Sequence, residues 1–305
     1  MKIFLIILAA FLVLQVIISV VATFITFNIV FLRRDEKGQK KDPASNAYLK
    51  RYEKELKDSI RFLLAKKAEK VHITSKDGLK LAADFYDAGS DRTALFFHGY
   101  TSLPMANFAI IGRKFYERGY NILLITHRAH GESEGEYCTL GLLEQEDVIS
   151  WTEWCRDRGL GQLVLYGISM GCASVSYASD RLDKELVRAL ILDCGFSSPY
   201  EQISNDGRKM HVPYQLIMPI LTQLARKRLG INLKQKVSDS LSKCKIPALF
   251  IHGVCDSTVD IKYGIENYES CSSEKKMIKV EGAEHTMAFL DGGDKVCEEV
   301  FNFIA

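Results

Sequence analysis

The chain has 305 residues, is 47% hydrophobic, and carries 40 Lys/Arg against 38 Asp/Glu, a formal charge of +2 at neutral pH. That balance excludes a disordered chain and is enough for one α/β domain of ordinary size plus a short appendage. The small net charge hides an asymmetry: residues 33–70 hold thirteen Lys/Arg against seven Asp/Glu, which leaves the rest of the chain acidic.

Lys2 is followed by thirty almost uninterrupted apolar residues, Ile3 to Leu32, with only Gln15, Ser19, Thr23, Thr26 and Asn28 as polar intrusions. The run exceeds the roughly 20 residues that span a bilayer. A cleavable signal has a shorter apolar core of about 7 to 15 residues, so residues 1–32 are read as an uncleaved single-pass anchor in the cell membrane, despite a loose cleavage-like Val20-Val21-Ala22. Arg33, Arg34, Lys37, Lys40 and Lys41 outweigh Lys2, which by the positive-inside tendency places the following domain in the cytoplasm. A basic segment at 33–70 beside a membrane suits anionic lipid headgroups. Nucleic acid is not an expected partner, because no basic face with interleaved aromatics is evident. Within 44–70, Tyr48, Tyr52, Leu56, Ile60 and Leu63 recur at helical spacing and predict an amphipathic helix, which either lies on the membrane or borders the substrate entrance, or else packs against the side of the domain.

From residue 71 the pattern becomes one of alternating strands and helices. Lys70 to Thr74 and Lys80 to Tyr86 flank Asp77-Gly78 as an antiparallel hairpin. Strands at 93–97, 121–126, 163–168, 187–192, 246–251 and 276–280 alternate with helices near 108–118, 143–156 and after Ser169. This predicts an α/β fold, a mostly parallel sheet with helices on both faces, over 71–305. About fifty residues separate the strands ending at 192 and beginning at 246, more than one crossover helix requires. Tyr214, Leu216, Ile217, Met218 and Leu221, with Pro213 and Pro219 as breakers, make 196–245 a small helical cap. Its apolar character either favours acyl or aromatic groups or only shields the site from water.

Leu163 to Ile168 runs into Gly167-Ile168-Ser169-Met170-Gly171, a G-x-S-x-G sequence that presents a serine on a sharp strand-to-helix turn. Such a pentapeptide arises by chance in roughly one chain of this length in ten, so its context must decide. Asp256 follows the strand at 246–251 and His285 the strand at 276–280, each at a strand end where ligands gather in such sheets. A serine hydroxyl is a weak nucleophile unless a base takes its proton and a carboxylate orients that base. Ser169, His285 and Asp256 are the candidates for those roles, with Asp193 and Asp260 as rivals for the acid. The backbone N–H of Met170, the residue after the serine, is a candidate oxyanion donor. His98 is expected to shape the Tyr100 loop, Arg128 and His130 to brace a neighbouring turn, and His252 to end a strand. Acyl transfer by this set needs neither cofactor nor metal. The eight cysteines, Cys138, Cys155, Cys172, Cys194, Cys244, Cys255, Cys271 and Cys297, show no C-x-x-C and read as free thiols.

Residues 71–305 resemble the α/β-hydrolase superfamily, and are most similar to bacterial membrane-anchored serine hydrolases of the esterase, lysophospholipase-like and serine aminopeptidase-like kinds. The resemblance is carried by the Ser169 elbow and by Phe96-Phe97-His98-Gly99-Tyr100-Thr101-Ser102, similar to the family's H-G-x oxyanion loop, which implies the backbone N–H of Tyr100 as the second oxyanion donor. His127-Arg128-Ala129-His130-Gly131-Glu132-Ser133 is similar to its D-x-R-x-H-G-x-S segment, with Thr126 where many members carry Asp, a change that bears on loop packing more than on chemistry. It implies an esterase that cleaves small-molecule or lipid-derived acyl esters through an acyl-enzyme. A peptidase or thioesterase would use the same triad, and a non-catalytic binding protein would commonly lack one of its members. Acyl length and oligomeric state are left open.

Overall fold

The computed structural model describes residues 1–33 and 49–305. Arg34, Lys37, Lys40, Lys41 and Tyr48, which enter the orientation, headgroup and amphipathic-helix expectations, lie outside the described residues.

The apolar N-terminal run is one helix, α1 (Lys2–Phe31). It is thirty residues long and contains an 18-residue stretch of mean hydropathy 3.1, enough by length and composition to cross a bilayer. The predicted helix over 44–70 is shorter: a 3₁₀ turn at Leu49–Tyr52 leads into α2 (Glu53–Ala65). Lys67 then adopts a positive φ of 55° and turns the chain into a strand that begins at Glu69. The apolar stripe of α2 packs against the side of the domain, with Leu56 and Leu63 buried beside Phe108 and Phe115, so of the two placements expected for this helix the structure adopts the second.

Eight strands form one sheet: β1 (Glu69–Thr74), β2 (Lys80–Tyr86), β3 (Arg92–Phe97), β4 (Asn121–Ile125), β5 (Gly161–Ile168), β6 (Val187–Asp193), β7 (Ala248–Gly253) and β8 (Lys275–Val280). Their spatial order is β1-β2-β4-β3-β5-β6-β7-β8. β2 pairs antiparallel with β1 and β4, and every other neighbouring pair is parallel. The central strands are buried from end to end, which is why Asn121–Ile125 and Leu163–Ile168 read as continuous apolar runs and not as alternating ones. Helices cover both faces: α3 (Pro104–Glu117), α4 (Glu144–Asp157), α5 (Met170–Ala178), α9 (Ile261–Ser270), and the C-terminal α10 (Ala288–Asp291) and α11 (Gly293–Phe303), while α6 (Pro199–Lys209), α7 (Tyr214–Leu229) and α8 (Ser238–Leu241) lie between β6 and β7. Two apolar clusters result, one on each face, with Leu95, Leu165 and Trp151 in the first and Phe96, Tyr166 and Phe289 in the second.

The insertion between β6 and β7 holds α6 (Pro199–Lys209), α7 (Tyr214–Leu229) and the short α8 (Ser238–Leu241). Pro213 stands at the N-cap of α7, as a breaker should, but Pro219 lies inside it. Proline at that place removes one backbone bond to the residue four before it. Burial of Ile217, Met218, Leu221 and Ala225 on the same helix offsets that loss and carries the helix through.

Candidate active site

The chemistry-bearing residues gather at the C-terminal ends of the parallel strands. Ser169 stands between β5 and α5 with φ 55° and ψ −112°, the strained backbone expected where an elbow presents a candidate nucleophile. A neighbouring strand holds the turn in place: the Ser169 N–H donates to Asp193 O at 2.9 Å. Glycine is required at position 171 because a Cβ there would lie 1.9 Å from the carbonyl oxygen of Phe97. With a side chain at that place, α5 could not lie against β3.

The Ser169 Oγ is 3.0 Å from His285 Nε2, and His285 Nδ1 is 2.7 Å from Asp256 Oδ2. The Asp256 Oδ1 accepts from the backbone N–H groups of Thr258 and Val259 at 2.8 and 2.7 Å. Burial on its own would raise the Asp256 pKa, but hydrogen bonds from His252 and His285 and those backbone donors hold the carboxyl well below its usual range. The carboxylate is therefore ionised and fixed, as an orienting acid must be. Both rivals for the acid are engaged elsewhere. Asp193 is wholly buried and accepts from the Tyr166 hydroxyl at 3.2 Å, while Asp260 caps α9 through the Lys262 N–H.

His252 does end a strand, as its position implied, and it has a further contact that spacing did not reveal. Its Nε2 lies 2.9 Å from Val259 O and 3.4 Å from Asp256 Oδ2, giving the acid a second imidazole. The loop after β3 is also tied on several sides. The Gly99 N–H donates to Asn107 Oδ1 at 2.9 Å, and Thr101, at φ 53°, donates its N–H to His130 Nε2 at 3.3 Å. His98 is fully buried, with Nδ1 2.8 Å from Gly99 O and Nε2 accepting from the His127 N–H at 3.1 Å. That is the pattern of a neutral ring with its proton on Nδ1. Burial, reinforced by the neighbouring His127 and His130, pushes its pKa well down and keeps it neutral. Tyr100 lies in this tied loop, next to Gly99, where an added Cβ would stand 3.5 Å from Ser169 Cβ, and Met170 is the first residue of α5.

The turn after β4 is braced by Arg128, which is buried and forked onto Asp147 at 2.6 and 2.7 Å and onto Asp77 at 2.7 and 3.1 Å. Thr126, where the resembling family usually has Asp, is held through its backbone: its N–H donates to Ala82 O, and Ser133 Oγ donates to its carbonyl at 2.7 Å. The loop is thereby packed without a carboxylate at that place.

From above, α6 leans on the loop that carries the acid. Gln202 and Asn205 reach Thr258 O at 3.4 Å each, and Lys209 Nζ donates to the carbonyls of Ser257 and Thr258. Ser169 and Asp256 are each only 8% exposed. A surface cavity of about 400 Å³ between Lys184, Arg188, Lys245 and the C-terminus sits at the opposite ends of β6 and β7. Among the described residues one group has ligand atoms close enough for a metal, Cys194, Asp256 and His285, all within 4.8 Å of one another. It suits a metal poorly, because His285 and Asp256 hydrogen-bond each other and burial pushes the Cys194 thiol well up, toward its protonated form.

A family model for the alpha/beta hydrolase fold matches residues 95–213. Protein YfhR of Escherichia coli K12, uncharacterized, is 29% identical over 245 residues, covering 78% of this chain and 80% of that one. YqkD of Bacillus subtilis, also uncharacterized, is 26% identical over 209 residues, covering 65% and 66%. Among solved structures, an esterase from Pyrococcus furiosus superposes with a TM-score of 0.65 at 24% identity, covering 79% of this chain and 91% of its own. The hydrolase GrgF from a Penicillium species gives 0.63 at 19% identity, covering 78% and 97%.

Proposed function

Because this chain has the α/β-hydrolase fold, we propose that it is a serine hydrolase that cleaves carboxylic esters, lipid-derived acyl esters among them, through an acyl-enzyme. The observation that carries the reading is the continuous relay from Ser169 Oγ through His285 to Asp256, at 3.0 and 2.7 Å. In this scheme His285 Nε2 takes the Ser169 proton as Oγ attacks the ester carbonyl, and Asp256 holds Nδ1 protonated and stabilises the imidazolium that forms. The oxyanion is met by the N–H groups of Met170 and Tyr100. His285 then returns the proton to the leaving alkoxide, and water repeats the sequence to release the acid. On this reading the apolar residues of α7, within the 196–245 cap, favour an acyl or aromatic substrate over a sugar.

The same reading makes α1 a single-pass membrane anchor, with the hydrolase domain on the cytoplasmic side. Its outer face, from Ile3 to Ile29, exposes large apolar side chains. Its protein-facing stripe already includes Ser19 and Ala22, at and before the cleavage-like segment, which favours retention of the helix over removal as a signal.

The test is fluorophosphonate labelling of the detergent-solubilised protein, followed by turnover of esters of increasing acyl length, with a thioester and an aminoacyl amide alongside. Labelling lost in Ser169→Ala and His285→Ala supports the triad, and the preferred substrate separates esterase from thioesterase or peptidase. Well-folded wild type that takes up no label overturns the hydrolase reading in favour of a binding protein.

A further inference from the structure

Four of the five polar intrusions of α1 fall together: Gln15, Ser19, Thr23 and Thr26 share one stripe with Ala22, Phe27, Val30 and Phe31, and that stripe is turned toward the protein, with Thr23, Phe27 and Phe31 fully buried, while Asn28 is exposed. Ser19 and Thr23 return their hydroxyls to carbonyls of α1 itself, Gln15 O at 2.8 Å and Ser19 O at 2.7 Å. The stripe runs along α7, where the Arg228 guanidinium lies over the rings of Phe24 and Phe27 at 5.6 and 5.7 Å.

The last turn of α1 is attached more firmly still. A helix leaves its final carbonyls without intrahelical donors, and here the domain supplies them. The Tyr100 hydroxyl donates to Ile29 O and Val30 O, both at 2.9 Å, and the Cys138 N–H donates to Phe31 O at 2.8 Å. Beyond the helix, the Arg33 N–H donates to Glu136 O at 2.7 Å, and the Arg33 guanidinium reaches Ser133 O and Gly131 O at 2.5 and 2.6 Å. The space left at this junction, between Leu32, Arg33, Tyr100, His130 and Cys138, is about 10 Å³, no more than one water occupies.

Two of these attachments lead to the residues that carry the candidate oxyanion N–H groups. Tyr100 carries one candidate oxyanion N–H and binds α1 through its own side chain. Met170 carries the other, and its Sδ lies 3.2 Å from the Sγ of Cys138, the residue whose N–H holds the end of α1. Resting on the hydrolase reading, we infer that the last turn of α1 positions the oxyanion hole, so that the anchor is a working part of the active site as well as a tether, with the Tyr100 hydroxyl as the positioning group. Oxyanion donors act only where they meet the developing charge, and loss of one costs about 10²–10³ in rate. A donor left in place but loosened costs less.

The test uses the full-length protein in detergent micelles. Tyr100→Phe keeps the ring and the backbone N–H and removes the hydroxyl. Phe31→Ala loosens the seat of the last turn and touches none of Ser169, His285 or Asp256. Each is read by kcat and KM on a short-chain ester and by the Ki of an alkyl boronic acid. Boron accepts the Ser169 Oγ, the serine proton passes to His285, and one boron-bound oxygen of the tetrahedral adduct occupies the oxyanion hole. The expected result in each variant is a fall in kcat and a rise in Ki, each of about tenfold, with KM within twofold of wild type; if one variant does not fold, the other decides. A folded variant with wild-type kcat and Ki overturns the inference. So does a raised KM with kcat retained, which would make the hydroxyl a substrate-binding group. Wild type that takes up no fluorophosphonate overturns instead the hydrolase reading beneath it.

Discussion

Gly171→Ala adds a single methyl group at the point where α5 crosses β3. Its carbon would stand 1.9 Å from Phe97 O, 2.4 Å from Phe97 C and 2.9 Å from His98 O. An ordinary carbon–oxygen contact is about 3.3 Å, so the helix must retreat from the strand by more than 1 Å, and both obstacles are backbone that cannot rotate away. Overpacking of this kind costs about 1–3 kcal/mol, and the rigid surroundings place this site at the upper end. At about 2–4 °C per kcal/mol for a domain of this size, the melting temperature should fall by about 6–12 °C. Activity should fall further than stability. Ser169 precedes the displaced helix by one residue and is held 3.0 Å from His285, and a misplacement of about 1 Å can cost 10²-fold. The assay is the rate of fluorophosphonate labelling beside thermal unfolding, with Gly161→Ala as the control. At Gly161 the added carbon meets nothing closer than Asp91 O at 3.9 Å. Gly171→Ala with wild-type labelling and melting would refute the close-approach reasoning.

Asp256→Asn retains an acceptor for Thr258 and Val259 but presents an amide N–H₂ to His285 Nδ1, which favours the tautomer unable to take the serine proton; turnover should fall by about 10³–10⁴. Asp260→Asn, at the cap of α9, should stay within about threefold, and parity between the two would remove Asp256 from the relay. Burial pushes the Asp193 carboxyl up from 3.8 to about 6, so its protonated form is favoured by folding. Its contribution to stability is therefore complete below pH 3.8 and is lost as pH rises through about 6, a change on the order of 3 kcal/mol. Asp193→Asn, which keeps an acceptor for Tyr166, should gain in melting temperature relative to wild type between pH 4 and pH 7; a pH-independent difference would contradict this. Cys255 is the exposed cysteine and the other seven are buried, so an aromatic disulfide reagent should titrate one thiol quickly in the native protein and eight after unfolding. Several fast thiols would show that the cysteine-bearing core opens readily.

The fold was legible in the sequence because burial on both faces makes parallel strands continuous apolar runs, and each of these ran into a chemically distinctive loop. Ser169, Asp256 and His285 could be picked out as candidates for the same reason: each follows its own strand, and a parallel sheet brings such ends together whatever the chain length between them. Local pattern was weaker where tertiary packing outweighs propensity. Pro219 looked like a helix breaker, yet burial of Ile217 and Leu221 carries α7 through it. The amphipathic stripe of α2 was equally compatible with lipid and with protein, since a helix seeks an apolar surface without specifying which one.

By itself, then, the sequence determined the order of strands and helices, the elbow, and a thirty-residue apolar helix at the N-terminus, all properties set by near neighbours along the chain. Only the tertiary structure decided that Asp256 and not Asp193 faces His285, that His252 stands behind the acid, and that the last turn of α1 is bound by Tyr100, Cys138 and the Arg33 loop contacts. Those contacts join residues up to 107 positions apart, as Phe31 and Cys138 are. They depend on where the sheet places the loop ends in space, and neither periodicity nor motif spacing carries that information.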